Sequence, residues 1–285
     1  MKNSSVIISY RETSPDRRKN IDLVLEHLRY IDELREIIIV EQDDHPLLPE
    51  TDFYKHIFLH NEGYFNKSWA YNVGASAATG TKLIFHDCDI LLKTRDLVSA
   101  VGQLDNYEAI KPSEVVYDVQ KNAPDPFECK EIQRMGSTFA GGVVLLRKEA
   151  FFRIYGWDEE FSGWGKEDNA MSAKIFVLLS HTTLKSEMFH LYHQDSIGAV
   201  HKDDPQMWKT PTNLLKLRTY VKENQERYLR NGILLEMVQE IALQGKEKLL
   251  DYYKSKPPIG NRKQCPLEYY KKGIPEYAAP PEKNK

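Results

Sequence analysis

Apolar residues fall in short pure runs and at helical spacing, in alternation. Val6–Tyr10 is a compact apolar run and predicts a short buried strand. Behind the helix start Ser14-Pro15-Asp16, the residues Ile21, Val24, Leu25, Leu28 and Ile31 recur at helical spacing. Ile37–Val40 is a second, β-branched strand run, and His56–His60 predicts a third. Ser68–Thr79 is rich in small residues and predicts a helix closed by Gly80. Lys82–Phe85 predicts a fourth strand and runs straight into His86-Asp87-Cys88-Asp89. Gly142–Leu146 reads as a further strand, with helices over Lys148–Tyr155 and Glu167–Ser180.

Strands alternating with helices predict an α/β fold with a mostly parallel, Rossmann-like sheet covered on both faces. Ligands of such sheets sit beyond the carboxyl ends of the strands, where strand order reverses. Acidic clusters fall at two such ends. One is Glu41–Asp44, which offers Glu41 and Asp43; the other is Asp87–Asp89. After about residue 205 the pattern changes. Leu214, Leu217 and Val221, then Ile233, Leu234, Val238 and Ile241, predict two amphipathic helices, followed by a Lys/Tyr-rich tail broken by prolines. The organisation expected is an α/β domain over 1–204 and a helical extension with a basic tail over 205–285.

Charge sharpens that division. Residues 1–200 carry 22 Lys/Arg against 31 Asp/Glu, and residues 201–285 carry 17 against 11. An acidic core argues against a nucleic-acid partner and moves any electrostatic docking surface to the C-terminal part. The stretch Lys246–Lys285, with ten Lys/Arg against five acids, is a candidate for docking on an anionic membrane or a partner, the competing reading being a solvated tail folded on the domain. Cys88, Cys129 and Cys265 form no paired or zinc-type spacing, and no apolar run approaches membrane-spanning length. The expected compartment is reducing and cytoplasmic.

Four constellations carry candidate chemistry. In Asp87-Cys88-Asp89, two carboxylates at i and i+2 beyond a strand can face one cleft and share a divalent cation with substrate phosphates. In Gly163-Trp164-Gly165-Lys166-Glu167-Asp168, glycines let backbone approach a ligand, the indole offers a flat wall to a sugar, and two acids open a helix. His190 and His193 can supply nitrogen ligands to a first-row cation. Phe65-Asn66-Lys67-Ser68 leads to Asn72-Val73-Gly74, where Lys67 can approach a diphosphate and Gly74 permits a close helix–sheet contact.

These segments occur in one order together with Phe139-Ala140-Gly141-Gly142-Val143 and Gly156-Trp157. That series resembles the catalytic domain of the beta-1,4-galactosyltransferase family. It is also similar to the N-acetylgalactosaminyl-transferring domain of bacterial chondroitin polymerases, whose Tyr-His-Gln stretch matches Tyr192-His193-Gln194. The resemblance covers about residues 5–200 and implies a GT-A type nucleotide-sugar-binding fold. It implies Asp89, His193 and His190 as ligands of Mn²⁺ or Mg²⁺, and Asp168 as the base that deprotonates the acceptor. It further implies Asp87, Lys67, Gly142, Trp164 and Glu167 along the UDP-sugar, with Arg11 near the uridine. Phe139 stands where the galactosyltransferases carry a bulky aromatic beside the sugar C2 substituent, which favours galactose over an N-acetylated sugar. One departure stands out: Asn169-Ala170 follows Glu167-Asp168, where the family's acidic run often continues.

The expected activity is inverting, metal-dependent transfer of galactose from UDP-galactose to a saccharide or lipid-linked saccharide hydroxyl, in bacterial surface polysaccharide synthesis. Asp168 favours inversion, because the related retaining polypeptide N-acetylgalactosaminyltransferases carry Asn after the Glu of a similar segment. Transfer of GalNAc or GlcNAc by the same fold, and an idle sugar-nucleotide-binding domain, are the competing readings. A nucleotidyltransferase needs a Gly-rich loop after the first strand, and Ser9–Asn20 contains no glycine.

Overall fold

The computed structural model describes residues 3–61, 64–128, 130–136, 138–139, 141–163, 165–193 and 228–256. Strand β1 (Ser4–Tyr10) is buried at every position, as a central parallel strand must be when both faces are covered. It pairs in parallel with β2 (Leu34–Asp43) on one side and β4 (Lys82–Asp87) on the other, and β3 (Lys55–His60) extends the sheet beyond β2. Further strands are β5 (Ile90–Leu92), β6 (Ala109–Lys111), β7 (Val115–Val119), β8 (Lys130–Met135), β9 (Val143–Arg147), β10 (His181–Thr183) and β11 (Glu187–His190). The large sheet has seven strands in the order β10-β6-β9-β4-β1-β2-β3, with β9 antiparallel to both neighbours. Strand order therefore reverses between β1 and β4, and the ends Tyr10 and Asp87 border the crevice where such sheets take ligands. The mostly parallel α/β sheet expected from the sequence is present.

Helices cover both faces. On one side lie α1 (Pro15–Arg29), whose N-cap Ser14 accepts from Arg17 N at 3.3 Å, and α3 (Thr94–Gln103). On the other lie α2 (Lys67–Ala77), α4 (Lys148–Arg153) and α5 (Glu167–Leu178). Asn66 caps α2 through Trp69 N at 2.8 Å. Gly74 lets this helix press on β1, since a Cβ there would stand 2.3 Å from Ile7 Cγ2. The helix ends at Ala77 with Ala78 extended, so Gly80 does not close it. Gly80 instead sits where a Cβ would meet Asn3 O at 2.6 Å.

A second sheet, β5-β11-β7-β8, has no counterpart among the strands the sequence predicts, because its strands hold only three to six residues each. Its pairing decides the site. His190 lies opposite Ile90 of β5 and opposite Asp118 of β7.

Helical residues 228–243 (α6) and α7 (Lys246–Ser255) return to the α2/α5 face. Leu235, Val238, Leu249 and Tyr253 join the core built around Tyr71, Phe85 and Trp157. Lys256 pairs with Asp158 at 2.6 Å, and the Lys174 ammonium lies 3.9 Å from the Tyr253 ring centre. Ile233, expected to face inward, is 68% exposed, because Leu235 and Val238 carry the buried face. Leu214, Leu217, Val221 and the tail beyond residue 256 lie outside the described residues. Among the described residues, no helix is long and apolar enough to cross a membrane.

Candidate active site

The end of β4 carries the first cluster. Asp87 accepts from the Tyr71 hydroxyl at 2.9 Å and from Gly142 N at 2.9 Å, and pairs with Lys67 at 2.8 Å. Gly142 can present that N–H because its φ is +81°, a conformation that favours glycine. Lys67 also contacts Asp168 at 3.1 Å and approaches Glu167 at 3.8 Å. One ammonium thus gathers three carboxylates from two elements, the end of β4 and the first turn of α5. Burial alone would pull the lysine's pKa down, but Asp168 and Asp87 outweigh it and hold the group well above its ordinary value. The ammonium therefore stands among the carboxylates of the cleft, closest to Asp87 and Asp168. Tyr71 is one helical turn from Lys67 on α2, a spacing from which it could have been found.

Two residues further along, Asp89 is 4% exposed and faces His193 Nε2 at 3.2 Å and His190 Nε2 at 3.8 Å. The ligand atoms of these three residues lie within 4.8 Å of one another. β11 pairs with β5, and Leu191 N donates to Asp89 O at 2.8 Å, so both histidines stand beside the aspartate. Asp118 of β7 holds His190 Nδ1 at 2.9 Å and is itself paired with Arg134, which leaves Nε2 directed at Asp89. Arg17 of α1 ion-pairs with Asp89. Burial opposes ionisation of Asp89, but Arg17 and the two imidazoles hold its carboxyl far below the ordinary range. Arg17 and Asp118 carried no sequence signal, since each reaches the site only through packing.

The third part is the start of α5. Glu167 and Asp168 occupy its first turn, behind Gly163, Gly165 and Lys166 at φ +75°, +94° and +79°. Asp168 accepts a backbone hydrogen bond from Gly141; its pKa is raised by burial and by Asp87, against the opposing charge of Lys67. Burial, then repulsion from Asp168, pushes Glu167 up to about 7, and its Oε2 is buried without a hydrogen-bond partner among the described residues. A pH dependence follows. The folded-state pKa exceeds the ordinary 4.5, so the stability this group contributes is complete below pH 4.5 and lost as pH rises through about 7. Glu167→Gln is therefore expected to gain stability relative to wild type across that window, read by thermal denaturation at a series of pH values. A difference that stays flat with pH would mean that Glu167 ionises at its ordinary value.

Other expected site residues lie elsewhere. β2 continues through Glu41 to Asp43, so Glu41 is inside the strand and fully buried. It accepts from Leu47 N at 2.9 Å and pairs with His56 at 2.7 Å, which makes it the anchor of the following loop and corrects its expected place among ligand-facing acids beyond the strand end. Asp43 ends the strand, and its carboxylate accepts from Asp44 N at 3.0 Å. Arg11 donates to Gln42 O at 2.7 Å and Asn61 O at 2.6 Å, bracing the ends of β2 and β3. Phe139 is fully buried, with its ring centre 5.7 Å from that of Phe176 and 5.8 Å from that of His181. It is a core residue on the α5/β10 side, and this corrects its placement beside a sugar. Trp164 lies outside the described residues.

Comparison with known proteins supports the resemblance seen in the motifs. Residues 127–194, which include Gly142, Glu167, Asp168, His190 and His193, match the family model described as the N-terminal domain of galactosyltransferase. Chondroitin sulfate N-acetylgalactosaminyltransferase 2 of Mus musculus is 25% identical over 162 residues, covering 51% of this chain and 30% of the relative. Beta-1,4-galactosyltransferase 4 of Cricetulus griseus is 24% identical over 178 residues, covering 60% and 42%. The chain thus spans less than half the length of either relative. Among solved structures, the catalytic domain of Drosophila beta1,4galactosyltransferase 7 in complex with xylobiose aligns over 76% of this chain and 80% of that one, with 17% identity and a TM-score of 0.45. The chain resembles the galactosyltransferase family, as its motif order implied.

Proposed function

We propose that this chain is an inverting, Mn²⁺-dependent hexosyltransferase that moves galactose from UDP-galactose to a saccharide hydroxyl. The observation that carries the reading is the adjacency of two clusters, Asp89/His190/His193 and Lys67/Asp87/Glu167/Asp168, joined through Asp87-Cys88-Asp89. A mixed set of one carboxylate and two imidazoles suits a first-row cation such as Mn²⁺ better than Mg²⁺, which prefers oxygen ligands. Bound there, the ion supplies positive charge to the diphosphate as it leaves.

The chain's own residues account for the rest. Asp168 takes the acceptor proton while the acceptor oxygen bonds to the anomeric carbon and the bond from that carbon to UDP breaks, so configuration inverts. Raised basicity suits Asp168 to this task, and Lys67 fixes its direction. Glu167 Oε2, buried and without a hydrogen-bond partner among the described residues, is the atom of this turn that would meet a sugar hydroxyl, and near its raised pKa it can donate or accept. With Phe139 in the core, galactose as the donor rests on the galactosyltransferase family match, and N-acetylgalactosamine is the second donor to test, because one relative is named for it. Both relatives are animal proteins, so the acceptor is proposed only as a saccharide hydroxyl.

The test is UDP release from UDP-galactose, UDP-GalNAc and UDP-GlcNAc, with Mn²⁺ and with Mg²⁺, in the presence of a panel of saccharides. Mn²⁺-dependent release that is greatest with UDP-galactose is expected. Release from none of the three donors sinks the reading, and a preference for UDP-GalNAc replaces the donor.

A further inference from the structure

The turn that precedes α5 is held from the C-terminal extension. Gly163, Gly165 and Lys166 all adopt left-handed backbone, and Lys166 lacks the glycine that makes this easy. A turn of this shape persists only where its surroundings fix it. One restraint is local to the α/β domain: Gly163 N donates to Phe65 O at 2.8 Å. The other comes from α6. Asn231 is fully buried, and its Nδ2 donates to Ser162 O at 3.2 Å and to Gly165 O at 3.0 Å. Those two carbonyls fix the amide's orientation, because the flipped form would set oxygen against oxygen. One turn earlier on α6, Tyr228 stands 3.1 Å from where a Gly165 Cβ would be, and the Lys166 ammonium lies 4.8 Å from its ring centre.

We infer that Asn231 is a positioning residue for the transfer reaction: by clamping Ser162 and Gly165 it sets the start of α5 and so the aim of Asp168. The inference rests on the assignment of Asp168 as the acceptor's base under the proposed function. It gives the helical extension a part in the chemistry beyond packing. The groups that face the cation and the diphosphate, Asp87, Asp89, His190 and His193, take none of their described contacts from α6. Loosening the clamp should therefore separate acceptor transfer from donor binding.

The experiment uses Asn231→Ala in the full chain, alone and combined with Asp168→Asn. Hydrogen exchange of amides 162–168 is expected to quicken, while UDP affinity with Mn²⁺ stays within about twofold, since those ligands keep their geometry. The kcat for transfer is expected to fall by about tenfold to a hundredfold, the scale of a small misplacement of a reacting group. In the Asp168→Asn background the same change should cost almost nothing, because the group it aims is already gone. Equal losses in both backgrounds, or unchanged transfer and exchange, overturn the inference. Asn231→Ser, which keeps one donor, should fall between; failure of both variants to fold assigns Asn231 a purely structural role. If the wild type transfers to no saccharide, the proposed function fails, and exchange at 162–168 still decides whether Asn231 holds the turn.

Discussion

Asp168→Asn is expected to lower transfer by about 10²–10⁴, the usual contribution of a general base, with UDP and Mn²⁺ binding nearly intact. The amide fills the same space but cannot take a proton. Lys67 loses one anionic partner yet keeps Asp87 at 2.8 Å, so the side of the cleft at the end of β4 holds its shape. The wild-type rate should fall on acidification through a limb above the ordinary carboxylate range, because burial and Asp87 raise Asp168. That limb should vanish in the variant. Steady-state transfer, calorimetric titration with UDP and a pH profile of kcat/KM check the three parts. A parallel loss of donor affinity and rate would instead give Asp168 a binding role.

Asp89→Asn and His193→Ala are each expected to abolish Mn²⁺-dependent turnover. Asp89 is the one carboxylate of its cluster, and His193 Nε2 stands 3.2 Å from it. UDP affinity should then be the same with and without Mn²⁺. Asp118→Ala should give a graded result, about 10–100-fold weaker metal affinity, because the carboxylate behind a ligating imidazole orients the ring without touching the ion. Mn²⁺ titration followed by electron paramagnetic resonance reads affinity without turnover. Wild-type Mn²⁺ affinity in Asp89→Asn or His193→Ala would remove that residue from the ligand set.

Much of the frame was legible from local pattern. The pure apolar runs of β1, β2 and β4 and the helical spacing of α1 place strands and helices, because both periods are properties of the backbone itself. The same locality put Asp87 at a strand end and Glu167-Asp168 at a helix start. Glu41 misled because it reads like a residue past the strand. The pairing of β2 with β1 and β3 shows that the strand continues, and Glu41 turns inward to His56.

By itself, the sequence determined the alternating α/β order, the aspartates at the end of β4 and the motif order shared with galactosyltransferases. Tertiary structure alone decided which distant residues meet. The short pairings of β11 with β5 and β7 bring His190 beside Asp89 and Asp118. Helix packing delivers Arg17 to Asp89 and Asn231 to the turn before α5, and it buries Phe139 against Phe176. The physical reason is that periodicity reports only which face of an element is apolar. A contact between elements depends on register and crossing geometry, which are set by the summed packing of many side chains and written in no single segment.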